Sequence, residues 1–485
     1  MKRVTLLFII ITCLLGLGPS AFGIGNAPRG IHLTWAEDDV YHTMAISWYT
    51  KMEADSMVYY DTKPHDKLED YAYKERGVHK QIRATDVIFK NWYHDVILRN
   101  LKPATTYYFV CGSPVGWSDV KKFKTLDPQK DIRFGFIADS RRRGEGRYEI
   151  EGPAYPDARI FVAQGLAAKN PNFVAFGGDM IMSGHEEWEW EAWFEDIPGN
   201  LIASDGCIIP MVPAIGNHDL ARYKIPGKQY DVTDETDYDI FTGLFALPDN
   251  ELWFALNFKD LRFVTLATAG GIKQKGLSTG DRVKREAEKQ VFFLRKQLET
   301  NDKKWFITQT HYSINGGYGI KPGDGGWGLI DTWVPLYEKY KVPLVLTAHS
   351  HHYMRSWPLK RFAIGQDFVD FGKNLELWPK GPPIIEMAND SREGVTYIVQ
   401  GNCGADTEWF EDGTAIRIYP WMAAAYSRPS FTLVEIKGDQ CYVVTETVGT
   451  NVEKDHLRPR GYVLDEFTLP YTTEDFPMAK YNVAF

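Results

Sequence analysis

Five short apolar runs between residues 132 and 348 each end at an Asp, Asn or His. Stretches with helical spacing separate several of these runs, and this alternation predicts an α/β domain with buried sheets. Ligands bind at the edge of such sheets where the carboxyl ends of the strands meet. We therefore expect the residues that end these runs to lie together: Asp139, Asp179, Asn217-His218-Asp219, His311 and His349, with His351 two residues further on.

These residue types favour a metal site. Carboxylate, amide and imidazole ligands suit Zn, Fe or Mn. No cysteine joins them, which argues against a structural zinc site. The donors are too many for one tetrahedral ion and suit two ions about 3.5–4 Å apart, bridged by one carboxylate.

The segment before this region has a different hydrophobic periodicity. Between residues 24 and 126 the apolar residues alternate in steps of two, in short runs bounded by Pro, Gly, Asn or Asp. This pattern predicts a small β-sandwich. The stretch "LDPQKD" (126–131) is the predicted linker, and "SFTLVEIKGDQCYVVTETV" near the C-terminus predicts a β-hairpin. The Trp-rich stretch 186–196 predicts a helix that packs on a sheet and has an acidic outer face.

The first 23 residues have the form of a secretory signal: a basic start, an apolar stretch and a small-x-small cleavage site at Ala21-Phe22-Gly23. A membrane anchor is the alternative, but the apolar stretch is shorter than the roughly 20 residues that a span needs. We expect a secreted or periplasmic protein with no membrane span after signal removal. Four cysteines remain without Cys13, and their pairing is open: Cys111, Cys207, Cys403 and Cys441.

The net charge excludes one class of partner. The formal charge is −9 at pH 7, so no overall basic field attracts nucleic acid. The oligomeric state cannot be read from the sequence.

The motifs in order resemble one family. Asp139 together with "GGDM", "GNHD", "TQTHYS" and "AHSHHYMRSWP" is similar to the metallophosphoesterases, and more closely to the purple acid phosphatases. That family carries a fibronectin-III-like sandwich in front. The resemblance implies an N-terminal all-β sandwich over 24–126, then an α/β four-layer metallophosphoesterase domain over 131–485, with two mixed sheets flanked by helices.

The resemblance also implies roles for the site residues. Asp139, Asp179 and His351 would bind the first metal, and Asp179 would bridge to the second. Asn217, His311 and His349 would complete the second site. His218 would face the phosphate as a catalytic residue and Asp219 would orient it.

Two positions depart from the family pattern. Arg141 stands where metallophosphoesterases often have His and purple acid phosphatases have Gly, and Met182 stands where the latter have Tyr. Neither is a good ligand for a hard metal, so the first site is expected to be weak or empty. Arg141 would bind substrate or replace part of the metal charge, or it would belong to a solvated turn.

Three further residues complete the prediction. His185 is an alternative first-metal ligand, although a histidine at a helix start is common without a metal. Tyr318 and Lys321, in the Gly-rich stretch 315–328, are candidate substrate-binding residues.

The sequence thus predicts an exported phosphoesterase with two metal ions, expected to be divalent Fe, Zn or Mn. A metal-bound hydroxide would attack a phosphate ester, a monoester in preference to a diester. The alternative is a non-catalytic surface or binding protein with a degenerate metal site.

Overall fold

The computed structural model describes residues 26–84, 87–141, 158–220, 238–269, 279–314, 326–363, 384–405, 421–448 and 461–472. The predicted signal segment 1–23, Tyr318 and Lys321 lie outside these residues. None of the described helices is long and apolar enough to cross a membrane.

The N-terminal region folds into two antiparallel sheets. Their strands are β1 Arg29–Thr34, β2 Met44–Thr50, β3 Met57–Asp61, β4 Tyr73–Arg76, β5 Val78–Lys80, β6 Arg83–Ala84, β7 Val87–Ile88, β8 Trp92–Leu98, β9 Thr106–Ser113, β10 Gly116–Trp117 and β11 Lys121–Lys124. One sheet has the order β1-β2-β8-β5, and the other has the order β10-β9-β3-β4 with β11 also paired to β9. Strands β6 and β7 form a small separate ribbon. The predicted all-β sandwich is therefore confirmed.

Strand β1 shows how the sandwich is attached to the rest of the chain. Leu33 and Trp35 face the core, as the alternation predicts. The alternating polar residues His32 and Thr34 are buried as well. The His32 ring stacks on Phe194 with 4.7 Å between centroids, and Thr34 Oγ1 donates to the Ala246 carbonyl over 2.6 Å. Both faces of this strand are covered because the second domain packs against it.

In the second domain the described residues form fifteen further strands and six helices. The strands are β12 Ile132–Ile137, β13 Phe173–Phe176, β14 Met211–Pro213, β15 Phe254–Asn257, β16 Leu261–Thr265, β17 Trp305–Gln309, β18 Leu344–Thr347, β19 Tyr353–Ser356, β20 Leu359–Ala363, β21 Ile384–Met387, β22 Thr396–Gln400, β23 Met422–Tyr426, β24 Ser430–Lys437, β25 Gln440–Thr447 and β26 Val463–Leu469. The helices are α1 Ala158–Ala167, α2 Glu187–Asp196, α3 Asp239–Leu244, α4 Thr279–Glu299, α5 Gly326–Thr332 and α6 Val334–Tyr340.

Most of these strands form two mixed sheets. Sheet I has the order β14-β13-β12-β24-β25-β26, and sheet II has the order β15-β16-β17-β18-β22-β19-β23. Strands β12, β13 and β14 are parallel to one another, as are β16, β17, β18 and β22. The predicted C-terminal hairpin is present as β24 and β25.

The two sheets pack face to face with helices outside. The rings of Phe134 and Phe263 bridge sheets I and II with centroids 5.3 Å apart. Helix α1 lies on sheet I so closely that a Cβ on Gly135 would come within 2.4 Å of the Leu166 side chain. Helix α4 buries Ala287 against the core of sheet II. This is the four-layer α/β arrangement that the sequence predicts.

The four described cysteines form no disulfide. Cys111, Cys207, Cys403 and Cys441 are all buried and free. Burial raises the pKa of the Cys207 thiol to about 11. These side chains therefore behave as small apolar core residues.

Candidate metal centre

The predicted site residues follow the ends of parallel strands from both sheets. Asp139 follows β12, Asp179 follows β13 and Asn217 follows β14. His311 follows β17 and His349 follows β18. His311 Nε2, after a strand of sheet II, lies 3.2 Å from Asp179 Oδ1, after a strand of sheet I. The carboxyl edges of the two sheets therefore meet at one place.

Three of these residues have left-handed backbone conformations. Asp139, Asp179 and His349 have φ angles of 55°, 53° and 70°. Non-glycine residues in this region are strained, and such strain is concentrated at functional sites. At Asp139 this conformation is held by the hydrogen bond from the Asp139 amide to the Gly178 carbonyl, which is 3.0 Å long. The strained turns aim short polar side chains into the space between the strand ends.

Four possible donor atoms lie close together. His311 Nε2 lies 3.1 Å from Asn217 Oδ1, 3.2 Å from His349 Nδ1 and 3.2 Å from Asp179 Oδ1. An ion with bonds of 2.0–2.1 Å separates its tetrahedral ligands by about 3.3 Å. The three distances from His311 Nε2 match this separation, and we call the four atoms the second-metal donors.

The protonation of His311 suits this role. Its Nδ1 donates to the Gly177 carbonyl over 2.9 Å, which leaves Nε2 to face the other donors. Such an outer hydrogen bond fixes the tautomer of a metal-binding histidine. Burial opposes its charge, but the Asp179 carboxylate outweighs burial and raises the pKa of His311 to about 9. A metal at this position would thus displace a proton.

The carboxylates differ in their surroundings. Burial raises the pKa of Asp139 well above its usual range. Burial acts in the same direction on Asp179, but His311 and His218 hold the pKa of Asp179 well below its usual range. Within the described residues, Asp139 Oδ1 and Asp179 Oδ2 accept no hydrogen bond. Both oxygens therefore depend on nearby positive charge.

Arg141 lies among the predicted first-metal residues. Its Nη2 donates to His351 Nε2 over 2.6 Å, and its Nη1 contacts His218 Nε2. Nη1 is also 3.9 Å from Asp179 Oδ2 and 3.8 Å from Met182 Sδ. The side chain is only 12% exposed, so the guanidinium belongs to the site rather than to a solvated turn.

His218 is fixed at one nitrogen. Its Nδ1 lies 2.7 Å from the Met182 carbonyl, to which it donates. Its Nε2 faces the centre, 3.9 Å from Asp179 Oδ2. The imidazole therefore presents Nε2 to whatever binds there.

The resemblance implies that Asp219 orients the imidazole of His218, but the structure gives the Asp219 carboxylate other partners. Its buried carboxylate accepts hydrogen bonds from the backbone amides of Asp179, Met180 and Gly216, over 2.7 to 2.9 Å. Met182, not Asp219, contacts His218 Nδ1. Asp219 instead joins the loops after β13 and β14, which carry Asp179 and Asn217.

Some residues of the site are not evident from the motifs. A Cβ on Gly216 would come within 2.3 Å of Asp179 Oδ1, so only glycine fits there. The Tyr312 ring lies 4.2 Å from the His349 ring, centroid to centroid. Gly216 could have been found from its place before Asn217 at the end of an apolar run, whereas Tyr312 carries no such signal.

His185, the alternative first-metal ligand, pairs with Glu186 at 3.5 Å. It is not in the donor group of Asp179, His311 and His349.

Comparison with known proteins gives a consistent assignment. Residues 28–125 match the family model of the purple acid phosphatase N-terminal domain, and residues 132–353 match that of the calcineurin-like phosphoesterases. Acid phosphatase type 7 of Homo sapiens is 23% identical over 442 residues, covering 87% of this chain and 88% of the relative. Probable inactive purple acid phosphatase 9 of Arabidopsis thaliana is 23% identical over 385 residues, covering 70% and 55%.

A solved structure shares the fold. Purple acid phosphatase PPD1 from yellow lupin (Lupinus luteus) seeds superposes with a TM-score of 0.64 at 18% identity, covering 93% of this chain and 75% of that one. Both family models match in order and over adjoining residues. The chain therefore belongs to the purple acid phosphatase-like metallophosphoesterases.

Proposed function

We propose that the protein is an exported, metal-dependent phosphoesterase that hydrolyses phosphate monoesters in preference to diesters. One observation carries this proposal: the four second-metal donors lie beside the imidazole of His218 and the guanidinium of Arg141. Few other reactions need a metal, a positioned imidazole and a guanidinium in one place. The family model over residues 132–353 supports the same reaction class.

The donor set indicates which metal suits the site. Two oxygen and two nitrogen donors, with no sulfur ligand, favour divalent Zn, Fe or Mn. When bound, such an ion would activate a water molecule and neutralise charge on the phosphate. Asp179, Asn217, His311 and His349 would hold it. A second ion would have only Asp139, Asp179 and His351 as ligands, so its site would be weak.

The remaining side chains would act on the substrate. The Arg141 guanidinium would pair with phosphate oxygens, for which its fork of N–H groups is suited. His218 would keep its Nδ1–H on the Met182 carbonyl and present Nε2 to the substrate. In its imidazolium form it would give the Nε2 proton to the leaving oxygen. A dianionic monoester matches the positive charge here better than a monoanionic diester does.

The domain boundaries and the location are part of the proposal. We place a signal segment at 1–23, the sandwich at 24–126 and the phosphoesterase domain at 131–485. The gap between β11, which ends at Lys124, and β12, which begins at Ile132, supports a boundary there. Export would deliver the enzyme to a secreted or periplasmic location.

A substrate screen tests the activity. The protein loaded with Zn²⁺, Mn²⁺ or Fe²⁺ is expected to hydrolyse p-nitrophenyl phosphate faster than bis-p-nitrophenyl phosphate. A chelator and the variant His311→Ala should both abolish turnover and remove the metal. A loaded protein that hydrolyses no ester would contradict the proposal and favour the non-catalytic binding protein.

A further inference from the structure

The surroundings of Arg141 bear on the number of metal ions. Its guanidinium contacts His351 and His218 and lies 3.9 Å from Asp179 Oδ2. His351 Nε2 is in turn 3.6 Å from Asp139 Oδ1. Two of the three partners of Arg141, His351 and Asp179, would bind the first metal, and Asp139 would be the third ligand. The guanidinium is thus placed among the first-metal ligands rather than outside them.

The contact with His351 occupies the atom that a metal would need. An imidazole nitrogen without a proton has one lone pair, which either accepts a hydrogen bond or binds a metal. Arg141 Nη2 donates to His351 Nε2 over 2.6 Å. While this hydrogen bond exists, His351 cannot be a ligand through Nε2, and only the two carboxylates remain.

The guanidinium also supplies the charge that the first metal would supply. Asp139 and Asp179 are 0% and 1% exposed, and buried carboxylates need a positive partner. Arginine stays charged at every accessible pH. A divalent ion among the same side chains would lie within a few ångströms of this fixed charge and be repelled by it.

We infer that the protein has a mononuclear metal centre in a family with a dinuclear one. Arg141 takes the place of the first ion, and among the described site residues one ion is held, by Asp179, Asn217, His311 and His349. The inference rests on the metal site of the proposed function. It concerns the number of ions, so it is tested without measuring hydrolysis.

The test uses the metal-free protein and Mn²⁺ alone. Arg141→Gly opens the space, and Arg141→His offers a ligand in its place. The matched control is Arg133→His, which removes an arginine from the same segment but outside the site, where Arg133 pairs with Glu435 at 2.7 Å. Bound Mn²⁺ per chain is measured by elemental analysis after gel filtration and by equilibrium titration. Electron paramagnetic resonance detects a spin-coupled pair.

The wild type and Arg133→His are expected to bind one Mn²⁺ per chain with no coupled signal. Arg141→Gly and Arg141→His should bind two, the second at least about 100-fold more tightly than any second ion in the wild type. Two Mn²⁺ ions of similar affinity in the wild type would overturn the inference. So would a single Mn²⁺ in Arg141 variants whose circular dichroism shows that they are folded.

The wild-type count decides the matter alone if neither Arg141 variant folds. One Mn²⁺ in a wild-type protein that hydrolyses no ester would contradict the proposed function and support this inference.

Discussion

At the residue scale, we propose that the imidazole of His218 acts on the substrate rather than on the metal. It lies beside the second-metal donors, yet its Nδ1 is used by the Met182 carbonyl and its Nε2 faces Arg141. Its neighbour Asn217 supplies the oxygen that lies 3.1 Å from His311 Nε2. The adjacent side chains of Asn217 and His218 thus face different partners, which fits the different roles proposed for them.

The variant His218→Ala tests this division. It should retain the metal content of the wild type while kcat falls by about 10²–10⁴-fold, the usual contribution of a positioned acid or base. Metal content is measured by elemental analysis and kcat with p-nitrophenyl phosphate. His311→Ala is the contrasting variant and should lose the metal. Loss of metal from His218→Ala, or unchanged kcat, would contradict the assignment.

The proximity of the proposed donors could be predicted from the sequence, because each of them follows an apolar run. The carboxyl ends of the parallel strands meet, so the residues that follow these strands are brought together. The sequence does not predict the direction of the Arg141 side chain, since this depends on which partners face it across the edge. The partner of Asp219 is wrong for the same reason: three backbone amides converge on its carboxylate only after the loops have folded.

At the element scale, the loops after β13 and β14 are held together by Asp219. Its carboxylate is buried and accepts three hydrogen bonds from backbone amides. Burial, with Asp179 nearby, raises its pKa to about 7. The two loops that carry Asp179 and Asn217 are therefore coupled through one side chain.

The variant Asp219→Asn replaces one acceptor oxygen by an N–H₂ group that cannot accept from a backbone amide. A buried donor left unpaired costs about 1–3 kcal/mol, so unfolding in urea should show a loss of this size. Affinity for Mn²⁺ should fall as well, because the loops position two of its ligands. Asp205→Asn is the control, since Asp205 accepts from the Cys207 amide over 2.9 Å in an exposed loop. Equal effects of the two variants would contradict this account.

In the sandwich, His94 on strand β8 is a buried histidine whose protonation affects the stability of the fold. Its side chain is fully buried, with Nε2 2.8 Å from Thr50 Oγ1 and Nδ1 2.9 Å from Ser56 Oγ. Hydroxyl groups both donate and accept, so they satisfy a neutral imidazole. Burial, assisted by His79, lowers the pKa of His94 to about 4.

This shift predicts a pH dependence of stability. The unfolded chain has an ordinary histidine pKa of about 6.5, so it takes up the proton first as the pH falls. Stability should therefore decrease between about pH 6.5 and 4, by up to about 3 kcal/mol, and stay level below pH 4. The comparison with His94→Gln isolates this component. Parallel profiles for the wild type and His94→Gln would exclude the effect.

The elements themselves were predicted to different extents. Runs without proline became strands over nearly their full length, as in β12 and β17. The run 208–216 gave only the short strand Met211–Pro213. Pro210 and Pro213 have no N–H group to donate to a neighbouring strand, so the ladder with β13 stays short.

At the scale of the whole molecule, the acidic face of α2 is not exposed as predicted but joins the two domains. Glu187 accepts from the backbone amides of Lys90 and Asn91, both over 2.8 Å, and from Tyr93 Oη over 3.2 Å. Glu191 on the same helix pairs with Lys51 at 2.6 Å. Behind these polar contacts, the Trp35 ring packs on Phe173 and Phe258 at 6.2 and 6.0 Å. The sandwich and the α/β domain therefore share one hydrophobic core.

A shared core predicts that the two domains unfold together, and Glu187 tests how far the polar contacts contribute. Calorimetry of the wild type should show one transition. Glu187→Gln keeps one acceptor oxygen but leaves a backbone amide at Lys90 or Asn91 facing an N–H₂ group, at a cost of about 1–3 kcal/mol. The variant should therefore melt earlier, with the sandwich beginning to unfold before the α/β domain. The exposed Glu195 of the same helix gives the control Glu195→Gln, which should match the wild type. Two separate transitions in the wild type, or identical traces for the two variants, would show that α2 does not couple the domains.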